Sequence, residues 1–427
     1  MCDETPAFAE PPESDPPSSS HDPFGAIRIP DFRLWFIGSV ITTLGSQMLG
    51  TAIGWELYER TRSAFALGLV GLVQIIPVLA LFLPAGHLAD RIDRKKIILT
   101  CQLMLAAGSF ALAVLSGLRG PVWMIYVILL LLGIAQAFYS PARSAMMAQL
   151  VPRAIFSNAA TWGSGGFQIA SAVGPGLAGL VIGITHRATP VYVIDGVTTL
   201  ICFCLILPIA TRHVRLPSRD LTLAELVAGL KFVVKTKIIF ASITLDMFAV
   251  LLGGATTLLP IFAKDILHVG PVGYGWLRAA PGLGACLMSV AIAARPPFRK
   301  AGPTLLWAVA GFGAATIVFG ISHIFWLSLA KLFMTGALDN ISVVIRHTLV
   351  QVGTPDSLRG RVSAVNGVFI GASNQLGEFE SGLVASLFGP LVSVVSGGVG
   401  TILVVIAAAL IWPEMRRLGR LNQEEGQ

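Results

Sequence analysis

The chain has 427 residues, 54% hydrophobic and 12% charged. A soluble domain carries about 25% charged residues, so the composition excludes a soluble globular enzyme and indicates a protein built mostly inside a bilayer. The net charge of +7 does not point to nucleic acid, because the basic residues sit in short segments between apolar runs, not on one face or in one tail.

In chain order, residues 1–30 are acidic and proline-rich and read as a disordered cytoplasmic tail, without the pattern of a cleaved signal. Twelve apolar runs follow, each long enough to cross the hydrocarbon as a helix. They lie at about 34–57, 65–88, 97–117, 121–142, 157–184, 189–211, 238–262, 271–294, 303–321, 324–350, 362–387 and 389–413. The expected domains are an N-terminal six-helix bundle over 31–211, a basic cytoplasmic linker over 212–237, a C-terminal six-helix bundle over 238–415 and a tail over 416–427. In the linker, Leu221 to Val234 has helical periodicity suited to lying on the inner leaflet. Cys101, Cys202, Cys204 and Cys286 fall inside expected spans and have neither disulfide nor zinc spacing.

Charge fixes the expected orientation. Of the 30 Lys and Arg residues, five lie in alternate loops (Arg60, Arg62, Arg119, Arg187, Lys264), three lie within spans (Arg278, Lys331, Arg346), and 22 lie in the segments on the other side. The positive-inside rule then places both termini in the cytoplasm, in the inner (plasma) membrane of a bacterium. The halves repeat. Arg143 and Pro152 match Arg346 and Pro355 at an offset of 203, as Gly174, Gly179 and Leu180 match Gly377, Gly382 and Leu383. Gly71, Gln74 and Pro77 match Gly275, Arg278 and Pro281 at 204. Parallel repeats of six helices are a transporter architecture.

Ionisable residues inside hydrocarbon are costly and are functional candidates by default. In span 10, Lys331, Thr335, Asp339, Ser342 and Arg346 fall within an arc of about 80°, which predicts one polar stripe with Asp339 between two cations. The same stripe also suits a static ion-pair network. Span 11 carries Asn366, Asn374, Gln375, Glu378 and Glu380; Glu378 shares a face with Asn374 and two glycines, while Glu380 projects about 160° away. Glu378, Asp339 and Asp246 are the proton-coupling candidates, with Arg278 completing a polar second half. Gln47, Trp55, Gln74, Gln136 and Gln168 in the first half suit substrate contact, or serve as interhelical glue. There is no phosphate-binding Gly-rich loop, nucleophile elbow or cluster of metal ligands, so neither enzyme chemistry, a metal nor a cofactor is expected.

Three groups of residues carry a family resemblance. Gly86-His87-Leu88-Ala89-Asp90-Arg91-Ile92-Asp93-Arg94-Lys95-Lys96 resembles the loop 2–3 signature of the major facilitator superfamily, with Asp93 where the family usually has Gly. Ala172-Val173-Gly174-Pro175-Gly176-Leu177-Ala178-Gly179 resembles its antiporter motif, with Gly174, Pro175 and Gly179 in register. Gly336-Ala337-Leu338-Asp339-Asn340, Thr354-Pro355-Asp356 with Arg359-Gly360-Arg361, and Gly371-Ala372-Ser373-Asn374-Gln375-Leu376-Gly377-Glu378 are similar to the enterobactin-exporter-like branch of siderophore and drug exporters. The resemblance implies an all-α membrane fold of twelve transmembrane helices in two six-helix bundles. It also implies a gating loop of Gly86, Asp90, Arg91 and Arg94, with Asp90 against the start of span 11. The implied activity is proton-driven export of a small organic molecule, with a small-molecule substrate, the proton and the lipid bilayer as partners. An uncoupled facilitator, or a transporter-like sensor of a ligand, would have the same sequence pattern.

Overall fold

The structure is a computed structural model and describes residues 22–210, 223–296, 298 and 300–419. No strand occurs among them, and eleven helices are long and apolar enough to cross a membrane. The first bundle contains α1 (Pro30–Thr61), α2 (Ala64–Arg91), α3 (Arg94–Gly117), α4 (Val122–Leu150), α5 (Phe156–Thr185) and α6 (Thr189–Ile206). The linker helix is α7 (Leu223–Lys235). The second bundle contains α8 (Lys237–Leu252), the short α9 (Leu259–Ile261), α10 (Gly270–Ala293), α11 (Ala301–Ile321), α12 (Phe325–Val352), α13 (Asp356–Phe388) and α14 (Pro390–Ile411), followed by α15 (Pro413–Arg417). α13 completes the set of twelve: it has 33 residues, but its amides and acids keep it outside the apolar group.

Several expected boundaries shift for local reasons. Residues 22–29, inside the expected tail, form a turn docked on α5: Trp162 Nε1 and Asn158 Nδ2 donate to Pro23 O, and Ala26 N donates to Asn158 Oδ1. The sixth span stops at Ile206, short of 211. Lys95 Nζ donates to Leu207 O at 2.7 Å and to Ile209 O at 2.9 Å, a cation at a helix C-terminus. Asp93 stands at the N-cap of α3, where its side chain accepts from Lys95 N; this is the role of the residue that departs from the signature.

The expected seventh span is discontinuous. α8 ends before Gly253 and Gly254, and the chain continues through a 3₁₀ turn (Ala255–Leu258), α9 and a π-helical segment (Phe262–Ile266). Broken helices are tolerated at membrane depth where they line a cavity or are covered by protein. Here both glycines line a cavity.

Two seams join the bundles: α5 packs on α10, and α2 packs on α13. The repeat relates one seam to the other, since span 5 corresponds to span 11 and span 2 to span 8. Without a hydrophobic force between helices in lipid, close approach depends on small residues. A Cβ at Gly179 would lie 2.6 Å from Pro271 O and 2.7 Å from Gly275 Cα, and one at Gly68 would lie 2.9 Å from Gly382 Cα. All four glycines lie toward the end of the molecule distal to both termini. Toward the other end the seam opens: a Cβ at Gly360, Gly367 or Gly371 of α13, or at Gly165 of α5, meets nothing within 4 Å. The bundles therefore converge at the distal end and diverge toward the termini.

Candidate transport site

Where the bundles diverge they enclose a cavity of about 320 Å³. The first bundle contributes Gln47, Gln74, Gln136 and Asp195 to its wall, and the second contributes Thr257, Arg278, Gln375 and Glu378. Of the expected substrate-contact residues, Gln47, Gln74 and Gln136 therefore meet in one place. Gln47 also donates to Ser171 Oγ at 2.6 Å, tying α1 to α5. Trp55 and Gln168 are not part of this wall.

A second cavity of about 190 Å³ lies within the second bundle, lined by Thr335, Asp339, Asn374 and Glu378 among others. Among the described residues, Glu378 is the one common to the two walls. Beyond Asp339 a third, very small cavity touches Asp246, Asp339 and Ser342. The acids thus form a row from the inter-bundle cavity into the second bundle: Glu378, Asp339, Asp246.

Their bonding separates them. Asp246 is paired: Arg346 Nη1 lies 2.5 Å from its Oδ2, with both side chains 7% exposed, and Arg346 Nε donates to Ser342 Oγ. On α12, Thr335, Asp339 and Ser342 line adjoining cavities, but the flanking cations do not pair with Asp339. Asp339 was expected between Lys331 and Arg346, yet Arg346 turns across to α8 and Lys331 makes no ion pair among the described residues. Helical spacing shows which residues share a face, but not which neighbouring helix faces them. Asp339 and Glu378 have neither a hydrogen bond nor an ion pair among the described residues. Among the described residues Arg278 donates only to Tyr274 Oη, at 3.4 Å. Glu380 lies off all three cavities, as its angular displacement from Glu378 predicts.

The distal end is sealed by contacts that the sequence reading missed. Arg62 Nη1 donates to Asp265 Oδ1 at 3.0 Å, Tyr58 Oη donates to Asp265 Oδ2, and Lys264 Nζ donates to Glu59 Oε1 at 2.6 Å. Trp55 lies beneath, stacked on Tyr274 at 5.6 Å and donating to Glu59 Oε2, with Lys264 Nζ 5.6 Å from its ring centroid. Lys264 and Asp265 are consecutive in the π-helical segment, so two opposite charges leave one turn toward Glu59 in the last turn of α1 and Arg62 at its C-cap. A signal was available: Arg62 and Asp265 are 203 residues apart, the repeat offset, and so occupy equivalent ends of spans 1 and 7.

The antiporter-like motif divides its work. Gly174 packs against Gln47 and Leu44 of α1, whereas Pro175 and Gly179 form the α10 seam. Of the gating-loop residues, Gly86 lies in α2 and Arg94 begins α3; the side chains of Asp90 and Arg91 lie outside the described residues. Crowding at Gly179 gives a prediction. Gly179→Val should push the distal ends of α5 and α10 apart, raising the reactivity of Ser46→Cys toward an impermeant maleimide applied from the distal side, once background cysteines are removed. Unchanged labelling would count against the seam as the closed gate.

Comparison with known proteins agrees with this architecture. The sequence profile described as transmembrane secretion effector matches residues 20–424. The chain belongs to this family of major facilitator transporters. It is 23% identical over 393 residues to enterobactin exporter EntS of Shigella boydii serotype 18, and 24% identical to that of Citrobacter koseri, covering 91% of this chain and 93% of each relative. In fold it is similar to a peptide transporter POT in complex with sulfate (TM-score 0.70, 13% identity, 94% of this chain and 100% of the other). It is also similar to the nucleoside transporter NupG (TM-score 0.69, 13% identity, 90% and 99%). The protein is an integral membrane transporter.

Proposed function

We propose that this transporter is a proton-coupled exporter of a small organic molecule, siderophore or drug-like, working by alternating access in a bacterial inner membrane. The observation that carries this reading is the position of Glu378. An acid without an ion pair forms the wall between the inter-bundle cavity and a second cavity that leads to Asp339, so a proton can be held beside the cargo and still have a route away from it. Export is supported by the relatives, which are exporters. Orientation is supported by the charge asymmetry: with both termini inside, the sealed distal end faces outward and the cavity opens to the cytoplasm. Asp339 is the second exchangeable acid, and Asp246 is the fixed anion that holds Arg346.

In this account the distal contacts are a latch. The side chains of the two ion pairs are between 21% and 57% exposed, and exposed pairs contribute about 0.2–1 kcal/mol each. Two such pairs hold a gate shut yet leave it openable, since about 1.4 kcal/mol is a tenfold shift in population. Asp265→Asn removes one of the two pairs and should therefore move the equilibrium toward the outward-open state by up to about fivefold. Exchanging the charges, Glu59→Lys with Lys264→Glu, should restore the wild-type balance, read by the same Ser46→Cys labelling. A double exchange no better than either single change would refute the latch.

Flux in proteoliposomes tests the function itself. A pH gradient imposed across vesicles of uniform protein orientation should drive accumulation of a cargo against its own gradient. Equal flux without the gradient indicates an uncoupled facilitator, and binding without flux indicates a sensor.

A further inference from the structure

Tyr274 of α10 is fully buried between the inter-bundle cavity and the distal seal. Its ring stacks on Trp55 at 5.6 Å, with 28° between the planes, and Trp55 belongs to the seal. Its hydroxyl meets α1 at Gly54, which lines the cavity. A Cβ at Gly54 would lie 2.8 Å from Tyr274 Oη, 3.6 Å from Pro260 Cγ and 3.9 Å from Tyr274 Cζ. Only the oxygen is too close; the two carbons are at ordinary contact distance. Gly54 is thus a socket, and one oxygen atom takes the place of its missing side chain. One turn away on α1, a Cβ at Gly50 would lie 3.4 Å from Arg278 Nη2. Tyr274 and Arg278 are also one turn apart, on one face of α10, so Gly50 and Gly54 receive them as two steps of a track. The next residue fixes the ring from behind: a Cβ at Gly275 would lie 2.7 Å from Pro175 O and 2.8 Å from Gly179 Cα of α5. While that seam is closed, α10 has no room to draw back from α1.

We propose that Tyr274 is the inner gate on the distal route out of the cavity, with Gly54 as its socket. This inference rests on the alternating-access reading above and names a residue that must move in it. Cargo leaving toward the distal end passes between α1 and α10, where the Tyr274 ring stands. The ion-pair latch lies outside it. Lys264 Nζ is 5.6 Å from the Trp55 ring centroid, so latch, Trp55 and Tyr274 form consecutive layers. The seat depends on fit more than on bonding. Tyr274 Oη accepts from Arg278 Nη1 at 3.4 Å, which is long for a hydrogen bond. A close-fitting socket is sensitive to a single added methyl. A gate held by shape also releases without breaking a strong bond, as a step repeated in every cycle requires.

The test uses the full chain in proteoliposomes of uniform orientation, with background cysteines removed. Ser46→Cys on the cavity wall is labelled by an impermeant maleimide applied to one side or the other. Gly54→Ala puts a methyl where Tyr274 Oη stands. It should speed labelling from the distal side by about fivefold or more and slow labelling from the side of the termini. Opposite changes on the two sides mark a gate whose balance has shifted. A rise on both sides marks loosened packing and overturns the proposal. Adding Tyr274→Phe removes the oxygen and leaves the ring carbon 3.9 Å from the new methyl. The double variant should therefore label within about twofold of wild type. Tyr274→Phe alone should do the same, because the ring keeps its stack on Trp55. An unchanged distal rate in Gly54→Ala, or a double variant as reactive as the single, overturns the gate. Gly179→Val, which opens the α5 seam without touching the socket, separates the two layers. A response to Gly179→Val but not to Gly54→Ala defeats the gate and leaves alternating access standing. A response to neither defeats both.

Discussion

Asp246→Ala is expected to destabilise the protein by about 3–5 kcal/mol, because it leaves the buried Arg346 guanidinium without its ion-pair partner. Arg346 is 6% exposed and Asp246 is 5% exposed. The remaining hydrogen bond of Arg346 among the described residues is to the neutral Ser342 hydroxyl, and an unpaired charge in a spanning helix is expensive. Removing the charge as well should relieve most of this penalty, so the double variant Asp246→Ala with Arg346→Met should lie close to wild type. Heat inactivation of a detergent-solubilised transporter is irreversible, so the readout is the half-life of the monodisperse species at fixed temperature. A double variant as short-lived as the single would show that Asp246 has a different role.

Glu378→Gln is expected to abolish uphill transport while leaving downhill exchange of the same cargo intact. Gln occupies the same place between the two cavities and keeps the hydrogen-bonding capacity of the group, but it cannot gain or lose a proton. Flux then loses its dependence on the pH gradient. Asp339→Asn should reduce the coupling ratio without removing it, since Asp339 lies one cavity further from the cargo. It should also leave stability unchanged, because Asp339 holds no ion pair. The assay is cargo flux with and without an imposed gradient, at matched protein orientation. Full gradient-driven accumulation by Glu378→Gln would remove Glu378 from the coupling step and make its place in α13 structural.

Much of the fold is legible in the sequence because each element crosses a solvent that accepts only helices. The apolar runs, the loop charges and the 203–204 residue offset are enough to set out two six-helix bundles. Even the choice of seam helices follows from the repeat, since the small residues of spans 2, 5, 8 and 11 recur at that offset. The break in span 7 is hidden from hydropathy, which continues across the gap, although Gly253, Gly254 and Pro260 stand at it. The wall of the inter-bundle cavity is legible in part. Glu378, Arg278, Gln375 and three of the glutamines converge, since polar residues in hydrocarbon have few places to face. Pairing was not legible: Arg346 bonds to Asp246 on another helix, and Trp55 belongs to the distal seal, outcomes set by the rotation of one helix against another. Asp195 is legible in the sequence only as one acid of span 6; its burial against α1 and α3 shows only in the fold.

The central claim is that the two bundles rock about the inter-bundle cavity and that the proton on Glu378 sets which end is open. It is tested most directly by spin labels at Arg187→Cys and His323→Cys, exposed turns at the distal end of one bundle and of the other, in the full chain reconstituted in nanodiscs. Double electron–electron resonance should give two distance populations, short for the sealed end and long for the opened one, whose ratio changes between acid and alkaline pH. In the Glu378→Gln background that ratio should no longer respond to pH. A single distance under all conditions, or a pH response that persists unchanged in Glu378→Gln, would contradict the account.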